Sequence, residues 1–341
     1  MRGRLGALGL SLACVLSLLS ACDRKPRPSG PPPESTGLAA VPATAQAVIG
    51  VDVQKLADAP IVVRAIDRLL RQDLALRDRW AAVQEHCELD LATHVRHVML
   101  ALGPPSGAAG SGPVLMIVSG TLSEPDLLAC LPKVVGGGGG AVTTTTVAGR
   151  SLYQVKDGPR VVYFAFGRPD RVVLGTSEAW VSEALGAGKK ALDEPELARH
   201  LARADLHAPV WGVGRVDARV GQGIVAASGG KLSEAPRAIL GALDPRDGAR
   251  LELGVVMSTS DEARALESFA RAELAIVATA ARLKSLQGVV EQLGISTEGP
   301  VVRIRASLTP AQVNQLLSVL DETPPPEQGS PPRAKSESDT K

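Results

Sequence analysis

Four cysteines (Cys14, Cys22, Cys87 and Cys130) and five histidines (His86, His94, His97, His200 and His207) carry most of the chemistry this 341-residue chain could perform. Zinc ligands come in closely spaced pairs, and Cys87 and Cys130 stand far apart in sequence. His94 and His97 form the only close histidine pair. On a strand, that spacing sends the two rings to opposite faces. On a turn they could share a metal, but no nearby Cys or Glu completes a set. There is no H-E-x-x-H, no G-x-S-x-G elbow and no helical S-x-x-K. Asp52 closes an otherwise apolar run and is the best single acid, although a turn or helix cap explains it equally simply. A phosphate cradle requires a strand, a glycine loop and then a helix. Gly136–Gly140 and Gly186–Lys190 both follow helical patterns, and Gly212-Val213-Gly214 lacks a third glycine, so all three read as turns or strand glycines. These residues predict no enzyme, no cofactor and no metal. A hydrolase assembled from distant residues is the remote alternative.

The cysteines find a different use at the N-terminus. Arg2 and Arg4 precede an apolar run over residues 5–19 with no acid, shorter than the roughly 20 residues that span a bilayer. This is a signal-peptide pattern. It ends in Leu19-Ser20-Ala21-Cys22, which resembles a bacterial lipobox. The resemblance implies cleavage before Cys22, lipidation of Cys22, and an anchor in a bacterial membrane, inner or outer, without a spanning helix. Cys14 then leaves with the signal peptide. Cys87 and Cys130 remain as an even pair in an oxidising compartment, which reads as one disulfide. Two separate buried thiols are the alternative. A bridged pair would make His86 a surface neighbour, whereas a free Cys87 could have its thiol pKa lowered by it.

Composition narrows the partners. Without the two arginines of residues 1–21, the chain has 35 basic and 36 acidic residues, interspersed rather than blocked. No basic stripe suggests nucleic acid. Aromatics make up only 2% of the chain, too few for base-stacking or sugar platforms.

The elements that must position anything else alternate between strand and helix patterns. Residues 47–53 (AVIGVDV) alternate like a strand, and residues 56–84 follow a helical period with Ile66, Leu69, Leu70, Leu74, Leu76 and Trp80 on one face. Residues 95–102 and 114–122 form a hairpin across a glycine-rich loop, and residues 124–135 form a helix carrying Cys130. Four short strands over 142–147, 151–155, 160–166 and 171–175 suggest an antiparallel meander. Residues 210–216 echo the first strand. Residues 251–259, a long helix over 260–293, a strand over 301–308 and a helix over 310–320 follow. The predicted class is α+β, with antiparallel or mixed sheets packed against two long helices. Paired strand–long helix–strand units suggest internal duplication. The expected layout is a signal peptide at 1–21, a lipidated Pro/Ser-rich tether at 22–40, α+β halves at 41–205 and 206–322, and a disordered tail at 323–341.

The runs VPATAQAVIGVDVQKL, CELD and VSGTLSEPDLLACL resemble uncharacterised secreted lipoproteins of GC-rich bacteria. The resemblance implies a mixed α+β fold and a conventional disulfide, and no activity. The expectation is a lipid-anchored cell-envelope protein with a noncatalytic binding or structural role and envelope proteins as partners. The alternative is a carrier or sensor of an apolar ligand, which requires an apolar pocket of several hundred Å³ between sheet and helices.

Overall fold

A computed structural model describes residues 33–88, 90–105, 112–136, 141–147, 149–157, 160–168, 170–283 and 287–322. The signal-peptide assignment, Cys22 and its lipid, and the tail at 323–341 lie outside the described residues. The class is α+β. Twelve strands form one sheet in the order β11-β12-β10-β9-β8-β1-β2-β3-β7-β6-β5-β4, and every pairing is antiparallel.

The first half supplies β1 (Ala47–Asp52), β2 (Val95–Leu102), β3 (Val114–Gly120), β4 (Ala141–Val147), β5 (Arg150–Asp157), β6 (Arg160–Arg168) and β7 (Arg171–Gly175). The expected hairpin and meander are both present. The second half supplies β8 (Val210–Arg215), β9 (Ala238–Asp244), β10 (Ala249–Val256), β11 (Leu293–Glu298) and β12 (Val301–Leu308). The two halves share a single sheet because β1 pairs with β8, with Val48 opposite Val213 and Gly50 opposite Trp211.

The long helix expected over 56–84 is two helices, α1 (Pro60–Gln72) and α2 (Leu74–Cys87). Asp73 breaks it with an extended backbone (φ −115°, ψ 95°), and its carboxylate accepts the Leu76 N–H at 2.9 Å to cap α2. Neither helix buries a side chain, so the apolar face read from Ile66, Leu69 and Leu74 lies outside the core. Further helices are α3 (Glu124–Gly136), α4 (Glu178–Leu185), α5 (Pro195–Leu201), α6 (Ala218–Ala227), α7 (Ser260–Leu283) and α8 (Pro310–Glu322). α7 is described as far as Leu283, a short helical turn follows at Gln287–Val290, and Leu293, the expected end of the helix, already begins β11. The two long helical stretches also occupy different places. α1 and α2 join the first and second strands of their half, whereas α7 follows the third strand of its own. The proposed strand–long helix–strand repeat therefore does not superimpose in connectivity. What the halves do share is three successive strands, a helix, and strands that return from the sheet edge to pair with the third.

Both faces of the sheet are apolar, as expected for strands covered on two sides. Val48, Met99, Ile117, Val173 and Trp211 point to one face, packed under α4, α5 and the turn Leu38–Ala40. That turn corrects the tether boundary. Leu38 and Val41 are fully buried, and the buried Arg171 donates to the Glu34 carbonyl, so the chain is folded from residue 33. The opposite face carries two separate cores. One lies under α3, with Tyr153, Phe164, Phe166 and Val172, and the other lies under α7, with Met257, Ile295 and Val302. Register places Ile49, Leu100, Met116 and Leu253 on this same face between them, and these are only partly buried.

Candidate functional site

The sheet end covered by α3 holds an apolar cavity of about 340 Å³. Its floor is Val118, Val172, Leu174 and Phe164 from adjacent strands, and its roof is Leu127 and Leu131 of α3 with Leu122 from the preceding turn. No charged or polar side chain contributes to its wall. The floor arises from the meander. Antiparallel pairing sets Val172 against Phe166 and Leu174 against Phe164, so alternate residues of β3, β6 and β7 turn one apolar row upward. Tyr153 stacks on Phe164 with ring centroids 4.8 Å apart, and its hydroxyl donates to Glu124 Oε1 at 2.8 Å. That bond ties the meander to the first turn of α3. Burial and the carboxylate together raise the Tyr153 pKa, so the phenol stays protonated as the donor.

A second cavity of about 790 Å³ shares Leu122 with the first in its wall. It is lined by Arg96, Glu124, Arg150 and Asp170, together with Phe166 and Ser123. Arg150 is fixed by donating to the Phe166 carbonyl at 3.0 Å and to the Gly167 carbonyl.

Cys87 and Cys130 form the expected disulfide, with Cα atoms 5.0 Å apart. It joins the last residue of α2 to the middle of α3, so the bridge holds the roof of the apolar cavity. Glu88, just after Cys87, has a left-handed backbone (φ 49°) that ends α2.

The other sequence candidates have structural roles. Asp52 accepts the Lys55 N–H at 3.2 Å and pairs with its ammonium at 3.0 Å, capping a helical turn. His94 bonds the Asp90 carbonyl through Nδ1 at 2.8 Å, and His97 sits on β2 opposite Asp52. The His207 carbonyl accepts from Lys55 Nζ at 3.1 Å. His86 lies beside the disulfide, as its surface reading implies. Among the described residues no group of three His, Cys, Asp or Glu could hold a metal. Lys190, at the end of the second glycine run, donates to the Glu183 and Ala184 carbonyls and so caps α4 instead of binding phosphate. Residues 137–140 of the first run lie outside the described residues. No helix among the described residues is long and apolar enough to cross a membrane.

His200 is a histidine to which the sequence assigned no role and which the fold buries deeply. It is 6% exposed on α5, and neither ring nitrogen has a hydrogen-bond partner among the described residues. Burial holds its pKa below the ordinary value of 6.5, and Arg203, Arg199 and Arg215 add to that effect. Glu196, with an oxygen 3.9 Å away, opposes it. His97 is lowered too, mainly by burial. The unfolded chain binds protons near pH 6.5 that the folded chain refuses. Stability from both groups is therefore full above that value and is lost as the pH falls toward their depressed folded values. The urea midpoint will fall between about pH 7.5 and about pH 5.5, a window above the carboxylate range. His200→Leu will raise stability by about 1–3 kcal/mol and flatten that slope, because it removes a buried polar group with no partner. An unchanged slope in the variant would assign the pH dependence elsewhere.

No protein-family model matches the chain. No curated protein matches it. Among solved structures, crystal form I of TP0453 is similar over 83% of this chain and 96% of its own, with 13% identity and a TM-score of 0.44. Crystal form III of TP0453 covers 82% of this chain and 97% of its own, with 11% identity and a TM-score of 0.46.

Proposed function

We propose that this is a noncatalytic cell-envelope lipoprotein, held at a membrane by lipid on Cys22, that binds the hydrocarbon part of an apolar ligand beneath α3. One observation carries the reading: a cavity of about 340 Å³ walled only by apolar side chains, between sheet and helix. Ligand pockets begin at about 300 Å³, and an apolar guest seated here would remove both its own surface and that of the wall from water. The partly buried row of Met116, Leu100 and Ile49 extends the floor along the same face, room for a chain longer than the cavity itself. A purely structural role would give the cavity no occupant.

Native mass spectrometry of the full processed chain, extracted gently from a bacterial envelope, tests the reading. The expected result is an adduct that disappears on organic extraction and has the mass of a lipid. Leu131→Trp, which places an indole in the cavity, will weaken binding of a fluorescent acyl probe by about tenfold or more, equivalent to 1.4 kcal/mol per tenfold. Its thermal midpoint will stay close to that of the parent chain. A bare mass, with probe affinity unaffected by the indole, would overturn the reading in favour of a structural role.

A further inference from the structure

We propose that the polar cavity beside the apolar one receives a zwitterionic head group, so that the ligand is a single-chain amphiphile bearing a phosphate and an amine. This rests on the hydrocarbon reading of the neighbouring cavity and goes beyond it by naming the head. Leu122 lines both cavities, and Phe166 lines the polar one while belonging to the core that floors the apolar one. A chain under α3 thus leaves its head among Arg96, Arg150, Glu124 and Asp170.

The charges come in opposite pairs, two guanidinium groups and two carboxylates. Arg96 and Asp170 are exposed, and neither has an ion-pair partner among the described residues. Arg150 and Glu124 are held in place, the first by the Phe166 and Gly167 carbonyls and the second by the Tyr153 hydroxyl. Each sign therefore has one fixed and one adaptable group. A fixed group loses little freedom on binding, and a guanidinium fork matches phosphate oxygens in pairs. A simple carboxylate head would satisfy the arginines and leave Glu124 and Asp170 facing an anion. A head carrying both charges satisfies both signs.

The test compares three probes of equal chain length on the full chain with its disulfide intact. Cys22→Ser is included so that no acyl anchor competes. The probes are a lysophosphatidylethanolamine, a fatty acid and a fatty alcohol. The zwitterionic probe will bind about tenfold or more tighter than either of the others, since hydrogen bonds between charged groups are stronger than those between neutral ones. Arg96→Gln with Asp170→Asn, both at exposed positions, will weaken the zwitterionic probe about tenfold, with the contacts of Arg150 and Glu124 remaining, and will leave the alcohol unchanged. If the fatty acid binds as tightly as the zwitterionic probe, the amine contact is wrong and the proposal falls. Equal binding of all three probes overturns the head-group site but leaves the hydrocarbon reading standing. Binding of none overturns both.

Discussion

Replacing Cys87 and Cys130 together by serine will lower the unfolding free energy by about 4 kcal/mol, the chain-entropy value for a loop of this length. The loss will be uneven. α1 and α2 bury no side chain, so little hydrophobic burial holds residues 60–87 in place. Their fixture is the contact of α2 with α3 and the bridge at its end, where Cys130 is buried. Amide exchange in the double variant will therefore accelerate over residues 60–94 well before it does over β1, β3 and β8. Binding of an acyl probe will weaken as well, because α3 is the roof over Leu174 and Phe164. Exchange over 60–94 that tracks the global transition in both proteins would show that packing, and not the bridge, holds these helices.

The sequence showed this bridge because two cysteines in an oxidising compartment leave few arrangements. It showed the meander because β-branched and aromatic runs bounded by turns carry a period of two. Other elements were hidden for physical reasons. Ile66, Leu69 and Leu74 keep a helical period straight through Asp73, so periodicity alone could not place the break; the capping side chain is the one local signal for it. The same period could not reveal that this face lies outside the core, since burial depends on what the rest of the chain brings to it. β11 was lost in the tail of a long helical pattern. Its residues, LGISTE, are short and half polar, and they form a strand because Ile295 pairs opposite Ile304 at the edge of the sheet. β9, with the sequence AILGALD, has few β-branched residues. It is a strand because it pairs on both sides with β8 and β10.

The candidate site was less legible than the fold. Val118, Leu131, Val172 and Leu174 differ in no way from core residues until strand order sets them around a space, so no motif marks a site made of volume. Arg96, Glu124, Arg150 and Asp170 come from four separate stretches and line one cavity only because β2, α3 and the β4–β5 and β6–β7 turns come together there. The residues the sequence does single out, Asp52 and Lys190 among them, are conspicuous because helix ends need polar partners.

Gly50→Ala will destabilise the protein by about 1–3 kcal/mol through overpacking, and Gly50→Val by more. Gly50 lies on β1 directly opposite Trp211 of β8. A Cβ at that position would come within 2.3–2.5 Å of three atoms of the indole. Trp211 is 6% exposed and belongs to the core shared by both halves, so the ring has no open side to move to. β1 with β8 is also the only strand pair among the described residues that joins the two halves of the sheet. A shift of the ring there disturbs the join itself. Gly212→Ala is the matched control, one residue along β8, where the nearest side-chain atom to a new Cβ is Ile49 Cγ1 at an ordinary 3.6 Å. It will be neutral or slightly stabilising, because glycine weakens a strand interior. The double variant Gly50→Ala with Trp211→Leu will cost less than the sum of the two single changes, since the smaller side chain leaves space for the new methyl. Additive costs in that cycle would mean that Gly50 is required for something other than room for the indole.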